Sequence, residues 1–198
     1  MLRITKVRSA ARAGQYFERD DYYTDGKSPS QWLGKGAEAL GLAGSVDRET
    51  FQHLLAGEMP NGQRLGTMRD GKWQHKPGWD LTFSAPKSVS ILAEVAGDRR
   101  LIAAHEEAVR EALEYIEREG SITRLHTRGG GEEVHHEKTG NLVIACFRHA
   151  TSRARDAQLH THAVVINATL SADGKWRSLE TRDMYQIGQL AGTIYQSS

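Results

Sequence analysis

Three histidines stand where imidazoles could share one ion. His160 and His162 are separated by a single residue in Gln158-Leu159-His160-Thr161-His162-Ala163-Val164, a run whose β-branched and apolar character predicts a strand. Successive side chains of a strand alternate faces, so both imidazoles project from one side and Thr161 from the other. His149 ends the preceding strand-like run, and antiparallel pairing sets the end of one strand beside the start of its partner, where His160 lies. Three nitrogens can then converge on one ion. Three protein ligands leave positions for water or substrate oxygens, the pattern of catalytic rather than closed structural metal sites. A His-x-His pair alone is more often a satisfied surface pair, and it is His149 in register that favours the metal reading. All-imidazole coordination suits Zn, Mn, Ni or Cu, whereas Mg prefers oxygen ligands, so the residues alone leave the ion open.

Elements must hold these side chains in place. The apolar run Ala163-Val164-Val165-Ile166 anchors the second strand in a core and gives the ligands a rigid base. Residues 141–147 and 159–169 read as antiparallel neighbours joined by the polar stretch 150–158. Residues 79–83 predict a further strand, running into Ser84-Ala85-Pro86-Lys87-Ser88. There a helix is expected to begin, with Pro86 in its first turn, Ser84 as cap, and Lys87 and Ser88 beside backbone N–H groups that suit an anion. Between residues 98 and 119, Ile102, His105, Val109, Leu113 and Ile116 recur at helical spacing. That is an amphipathic helix covering a sheet, with His105 part of the helix rather than a ligand. Asp47 before Phe51, Leu54, Leu55 and Gly57 predicts a short capped helix. Residues 128–133 read as a flexible turn with His135 and His136 in the loop. Ala172-Asp173-Gly174-Lys175 reads as a hairpin turn, and residues 184–195 as a helix without an end cap.

At 198 residues the chain is long enough for one domain with a sizeable core and short for two. Its 38% hydrophobic and 26% charged residues are ordinary globular values that give no reason to read the chain as disordered or fibrous. No apolar stretch reaches the roughly 20 residues that span a bilayer, and the start lacks a signal peptide's apolar run, so the expectation is a cytoplasmic protein without membrane insertion. A single cysteine, Cys146, excludes an internal disulfide. Its apolar strand context argues against a thiol nucleophile. The net charge of +1 excludes a uniformly basic protein, yet Arg3, Lys6, Arg8 and Arg12 precede any acidic residue, an imbalance suited to phosphate partners.

The segment Phe147-Arg148-His149, through Thr151-Ser152-Arg153, to Gln158-Leu159-His160-Thr161-His162-Ala163-Val164 resembles the metal-binding motif of conjugative relaxases of the TraI/TrwC (MobF) type, within the HUH endonucleases. Asp80-Leu81-Thr82-Phe83-Ser84-Ala85-Pro86-Lys87-Ser88-Val89 resembles a second signature, and Gly34-Lys35-Gly36-Ala37-Glu38 with Leu40-Gly41-Leu42 a third. Tyr16-Phe17 and Tyr22-Tyr23 fall where that family carries paired tyrosines. The similarity runs in order and spacing across nearly the whole chain.

The resemblance implies an α+β fold with a palm-like central antiparallel sheet flanked by helices. It implies that residues 1–198 form a relaxase domain, the N-terminal fragment of a longer relaxase and helicase. Its activity would be site- and strand-specific nicking of DNA at a plasmid origin of transfer, with single-stranded origin DNA and other conjugation proteins, of the relaxosome and coupling type, as partners in a bacterial cytoplasm. A tyrosine would become joined to the DNA 5′ end while a 3′ hydroxyl leaves, which retains the ester's energy for resealing without ATP. Tyr16 would be the first nucleophile, and His149, His160 and His162 would hold a divalent ion, Mg or Mn by family habit with Zn or Ni as alternatives. Phe17 departs from the paired pattern, so a second cleavage would fall to Tyr22 or Tyr23, with a packed aromatic as the plain alternative for either. Asp80 would accept the tyrosine's proton or hold a ligand imidazole through its ring N–H. Arg153 would offer a cationic fork to the scissile phosphate.

Two other readings use the same residues. A phosphodiesterase using activated water needs the histidines and Asp80 but no nucleophilic tyrosine. A non-enzymatic single-strand binder would stack bases on Trp32 and Trp73.

Overall fold

The computed structural model describes residues 1–10, 29–127, 133–152, 154–180 and 184–198. In chain order these form β1 (Leu2–Val7), β2 (Ser30–Leu33), α1 (Lys35–Ala39), α2 (Arg48–Leu55), β3 (Thr67–Arg69), β4 (Lys72–Gln74), β5 (Gly78–Ser84), α3 (Lys87–Glu94), α4 (Arg99–Gly120), β6 (Ile122–Thr127), β7 (Glu133–Lys138), β8 (Ile144–Thr151), β9 (Ala157–Ile166), β10 (Thr169–Leu170), β11 (Trp176–Arg177) and α5 (Met184–Ser197). Among them no helix is long and apolar enough to cross a membrane.

Five strands make one sheet in the order β1-β5-β9-β8-β2, every neighbour antiparallel. Strand alternation divides its side chains between two apolar layers. Trp79, Leu81 and Phe83 of β5, with Ala163 and Val165 of β9, pack beneath Val109, Leu113 and Ile116 of α4 and Tyr195 of α5. Ala145, Val164 and Ile166 on the opposite face meet Phe51, Leu54 and Leu55 of α2. Burial on both faces explains why Ala163-Val164-Val165-Ile166 is apolar throughout instead of alternating. Each fully buried side chain of this size contributes about 1.5–3 kcal/mol. Together they fix the strands that carry the histidines.

The four helices that the sequence predicts start where expected, with one change, and α1 adds a short helix that the sequence reading did not anticipate. Asp47 accepts from the Thr50 N–H at 2.8 Å and caps α2, and Asp98 does the same for Arg100 at 3.1 Å in α4. At α3, however, Pro86 is itself the cap position, the helix begins at Lys87, and Ser84 stays in β5, its N–H donating to the Met1 carbonyl at 2.9 Å. Proline's fixed φ favours the extended residue before a helix as readily as the first turn. The Lys87 ammonium spans to the Ala157 carbonyl at 3.0 Å and so ties α3 to the start of β9.

Three further elements depart from the sequence reading. β1 alternates Leu2 and Ile4 against the helices with charged residues outward, and pairs with all of β5, so the basic start is an edge strand. β2 places Trp32 in the core beside Phe51, only 6% exposed, which removes it as a stacking platform for bases. His135 and His136 lie within β7, paired with Leu125 and Arg124 of β6, so they belong to a two-stranded ribbon and not to a loop.

Candidate metal and nucleic-acid site

The register assembles the site. β8 and β9 set His149 directly opposite His160, while β5 sets Thr82 opposite His162 and Ser84 opposite His160. His149, His160, His162 and Asp80 all leave the sheet on the face away from α4, because their neighbours Arg148, Thr161 and Leu81 contact the α4 side. The pairing then shifts by one residue between His149 and Thr151, the latter opposing Ala157. Such a bulge bends a strand and re-aims the side chains beside it.

The three imidazoles are buried, 4%, 8% and 5% exposed for His149, His160 and His162. Their ring centroids lie 5.1 Å (His149–His160), 5.4 Å (His149–His162) and 5.2 Å (His160–His162) apart. Two rings have fixed tautomers. His160 Nδ1 donates to the Gln158 carbonyl at 2.9 Å, an acceptor only, which puts the proton on Nδ1 and the lone pair on Nε2. His162 Nδ1 lies 3.0 Å from both Asp80 oxygens, with Thr82 Oγ1 at 3.3 Å. A carboxylate on Nδ1 likewise sends the lone pair to Nε2 and makes the ring a better donor to a cation. Asp80, 8% exposed, thus touches a histidine ring.

The spacing matches a tripod: three imidazoles on one ion at the roughly 2.1 Å metal–nitrogen distance place their centroids about 5 Å apart. The orientation is less closed. His149 and His160 are nearly parallel, at 21°, whereas His162 is close to perpendicular to His149, at 89°. As the rings stand, no three His, Cys, Asp or Glu side chains among the described residues converge tightly enough to hold an ion. The donor set fits a borderline divalent cation by chemistry and spacing.

Tyr16, Tyr22, Tyr23 and Arg153 lie outside the described residues. Thr82 and the Gln158 carbonyl were missed by sequence reasoning, although alternation from Asp80 places Thr82 on the same face. Trp73 donates from Nε1 to the Leu65 carbonyl at 2.9 Å beneath the Arg64 guanidinium. Cys146 is buried, and desolvation pushes its thiol up to about 12, which fits the inert role expected of it.

A palm-like antiparallel sheet with helices on both faces and a buried imidazole trio at one end of its central hairpin defines the class, an α+β domain with a three-histidine cluster. The chain belongs to the TrwC relaxase family, whose family model matches residues 10–198. It is similar to the multifunctional conjugation protein TraI of Escherichia coli strain K12, 49% identical over 189 residues that cover 95% of this chain and 10% of that protein. A second Escherichia coli TraI is 47% identical over 207 residues, covering 100% of this chain and 12% of its own. The chain therefore spans about a tenth of the length of these curated relatives. Among solved structures it is similar to the conjugative relaxase TrwC in complex with oriT DNA. The metal-free complex has a TM-score of 0.85 at 43% identity, covering 100% of this chain and 67% of that one. A copper-bound complex has a TM-score of 0.86 at 44% identity, covering 100% and 68%.

Proposed function

We propose that this chain is the DNA strand-transferase domain of a longer conjugative relaxase, nicking one strand at a plasmid origin of transfer through a tyrosine. The grouped His149, His160 and His162, with Asp80 on the His162 ring, is the observation that carries the reading in a chain of this family. Relatives solved with oriT DNA and with bound metal support the substrate and the need for an ion.

In this reading the Tyr16 oxygen attacks the scissile phosphorus, and the bond from phosphorus to the 3′ oxygen breaks. The product is a 5′-phosphotyrosyl ester, and the leaving 3′ oxygen takes a proton. A divalent ion on the trio would supply Lewis-acid stabilisation of charge on the non-bridging phosphate oxygens. Asp80 holds His162 in the tautomer that presents Nε2, and the Gln158 carbonyl does the same for His160. With Asp80 committed to a ring, its positioning role is favoured over direct proton transfer from tyrosine. Arg153 would contribute a bidentate contact to the phosphate, and Tyr22 ahead of Tyr23 would serve a second cleavage. Other conjugation proteins and a bacterial cytoplasm complete the proposal.

An origin oligonucleotide incubated with divalent ion should give a covalent protein–DNA adduct that Tyr16→Phe abolishes. Cleavage without any adduct would instead support activated water, which His149, His160, His162 and Asp80 could equally serve. Running the assay across Mg, Mn, Zn, Ni and Cu identifies the ion.

A further inference from the structure

Behind the imidazole trio, on the opposite face of the sheet, three polar side chains form a hydrogen-bonded chain within a mostly apolar layer, beside the ion pair of Arg148 with Glu106. Tyr195 Oη lies 2.9 Å from His105 Nδ1, and His105 Nε2 lies 2.8 Å from Thr161 Oγ1. All three residues are buried: Tyr195 is 8%, His105 5% and Thr161 5% exposed. A buried polar chain costs desolvation that an aliphatic cluster would not, and it is tolerated here because each group has a partner. Its terminus is the single residue between His160 and His162. In a pleated strand a rotation of the backbone at that residue swings both flanking side chains together.

A neighbouring contact immobilises the same short stretch. The Leu159 N–H donates to Ser90 Oγ at 3.0 Å, and the Leu159 carbonyl accepts from the Ala85 N–H at 3.0 Å. The residue before His160 is therefore held through its backbone and the residue after it through its side chain. Apolar packing resists separation of layers but is indifferent to small slides, whereas hydrogen bonds fix direction.

Building on the proposed function, we infer that His105, backed by Tyr195, is a positioning residue that sets the aim of His160 and His162 from the far side of the sheet through Thr161. A neutral imidazole donates from one nitrogen and accepts at the other, and hydroxyls on both sides can take either part, so the chain closes in one sense or the reverse. Leucine at 105 would fill space without that link.

The test compares Thr161→Val, which keeps the β-branched shape and deletes the hydroxyl, with Ile116→Val, which thins the same apolar layer elsewhere on α4. Without added metal, the ring nitrogen resonances of His160 and His162 should shift or broaden in Thr161→Val and stay in place in Ile116→Val. Affinity for Mn or Zn by titration should fall roughly 10- to 100-fold in Thr161→Val, the range for groups that orient ligand side chains. His105→Leu should match that loss and His105→Gln, able to donate and accept, should recover most of it. If His105→Leu does not fold, Thr161→Val still decides. Resonances and affinity in Thr161→Val indistinguishable from those in Ile116→Val overturn the inference and leave the proposed function standing. A wild-type protein that binds no divalent ion and forms no adduct overturns the proposed function, while the ring resonances still report on positioning.

Discussion

At the residue scale the imidazole trio was legible because strand geometry is simple: a period of two and an antiparallel register suffice to bring His149 to His160. Asp80 was legible only as a choice between two roles, since a sequence shows that a carboxylate is near and not which atom it meets. With both oxygens 3.0 Å from His162 Nδ1, its charge makes that imidazole a stronger donor at Nε2. Asp80→Asn keeps an acceptor but removes that charge. Divalent-ion affinity measured by calorimetry should drop about tenfold or more, with a melting temperature close to that of the parent protein. An unchanged affinity would exclude the carboxylate from the ion's support. Tyr16, Tyr22, Tyr23 and Arg153 rest on motif resemblance, because no periodicity in a sequence marks which tyrosine attacks or which arginine meets the phosphate.

Elements with strong periodicity, α4 above all, were predicted nearly to their ends, while short edge pieces were not. β1 is six residues long and basic, and its alternation of Leu2 and Ile4 is too brief to outweigh its charges. The β6–β7 ribbon carries polar side chains on both strands, so no apolar stripe marks it. What closes β5 against β9 is equally hidden: Gly78 has φ 147°, and a Cβ there would meet the Val165 carbonyl oxygen at 2.0 Å. Gly78→Ala should cost more than about 2 kcal/mol or prevent folding, read from urea unfolding. A second element-scale device is Glu117 of α4, whose Oε1 accepts from the N–H groups of Lys35 and Leu142, both at 2.8 Å. Burial raises its carboxyl above the ordinary value, the backbone donors offsetting part of that. The folded chain then binds this proton more tightly than the unfolded one, so the group's contribution is largest in acid and declines as pH rises through the raised value. Relative to Glu117→Gln, the parent should lose stability as pH rises above the ordinary carboxylate range. Parallel unfolding-free-energy curves would refute this.

For the whole molecule, buried His105 and half-buried His75, whose ring nitrogens are shielded from solvent, weaken the fold in acid. Burial depresses His105 from 6.5 to about 4, with Arg148 and His160 adding repulsion, and burial alone brings His75 to about 4. Between those values the unfolded chain binds protons that the folded chain refuses, so stability is present above pH 6.5 and is lost as pH falls towards 4. His105 alone accounts for about 3 kcal/mol of that change. Urea unfolding at pH 7 and pH 4.5 should show the loss, smaller in His105→Gln. His105 was read from sequence only as a helix residue, and that assignment holds; its partners Thr161 and Tyr195 are 56 and 90 positions away, beyond any local pattern.

The pairing of His149 with His160 also decides where chain length can vary. Residues added at the tip, between Thr151 and Ala157, lengthen the hairpin without altering which face either histidine occupies. One residue added after Thr161 would turn His162 toward α4 and leave the added residue in its place beside His149 and His160. Insertions and deletions tolerated by selection should therefore collect at the tip and be absent from the strand interior, a pattern that a library of single-residue insertions scored for adduct formation would reveal.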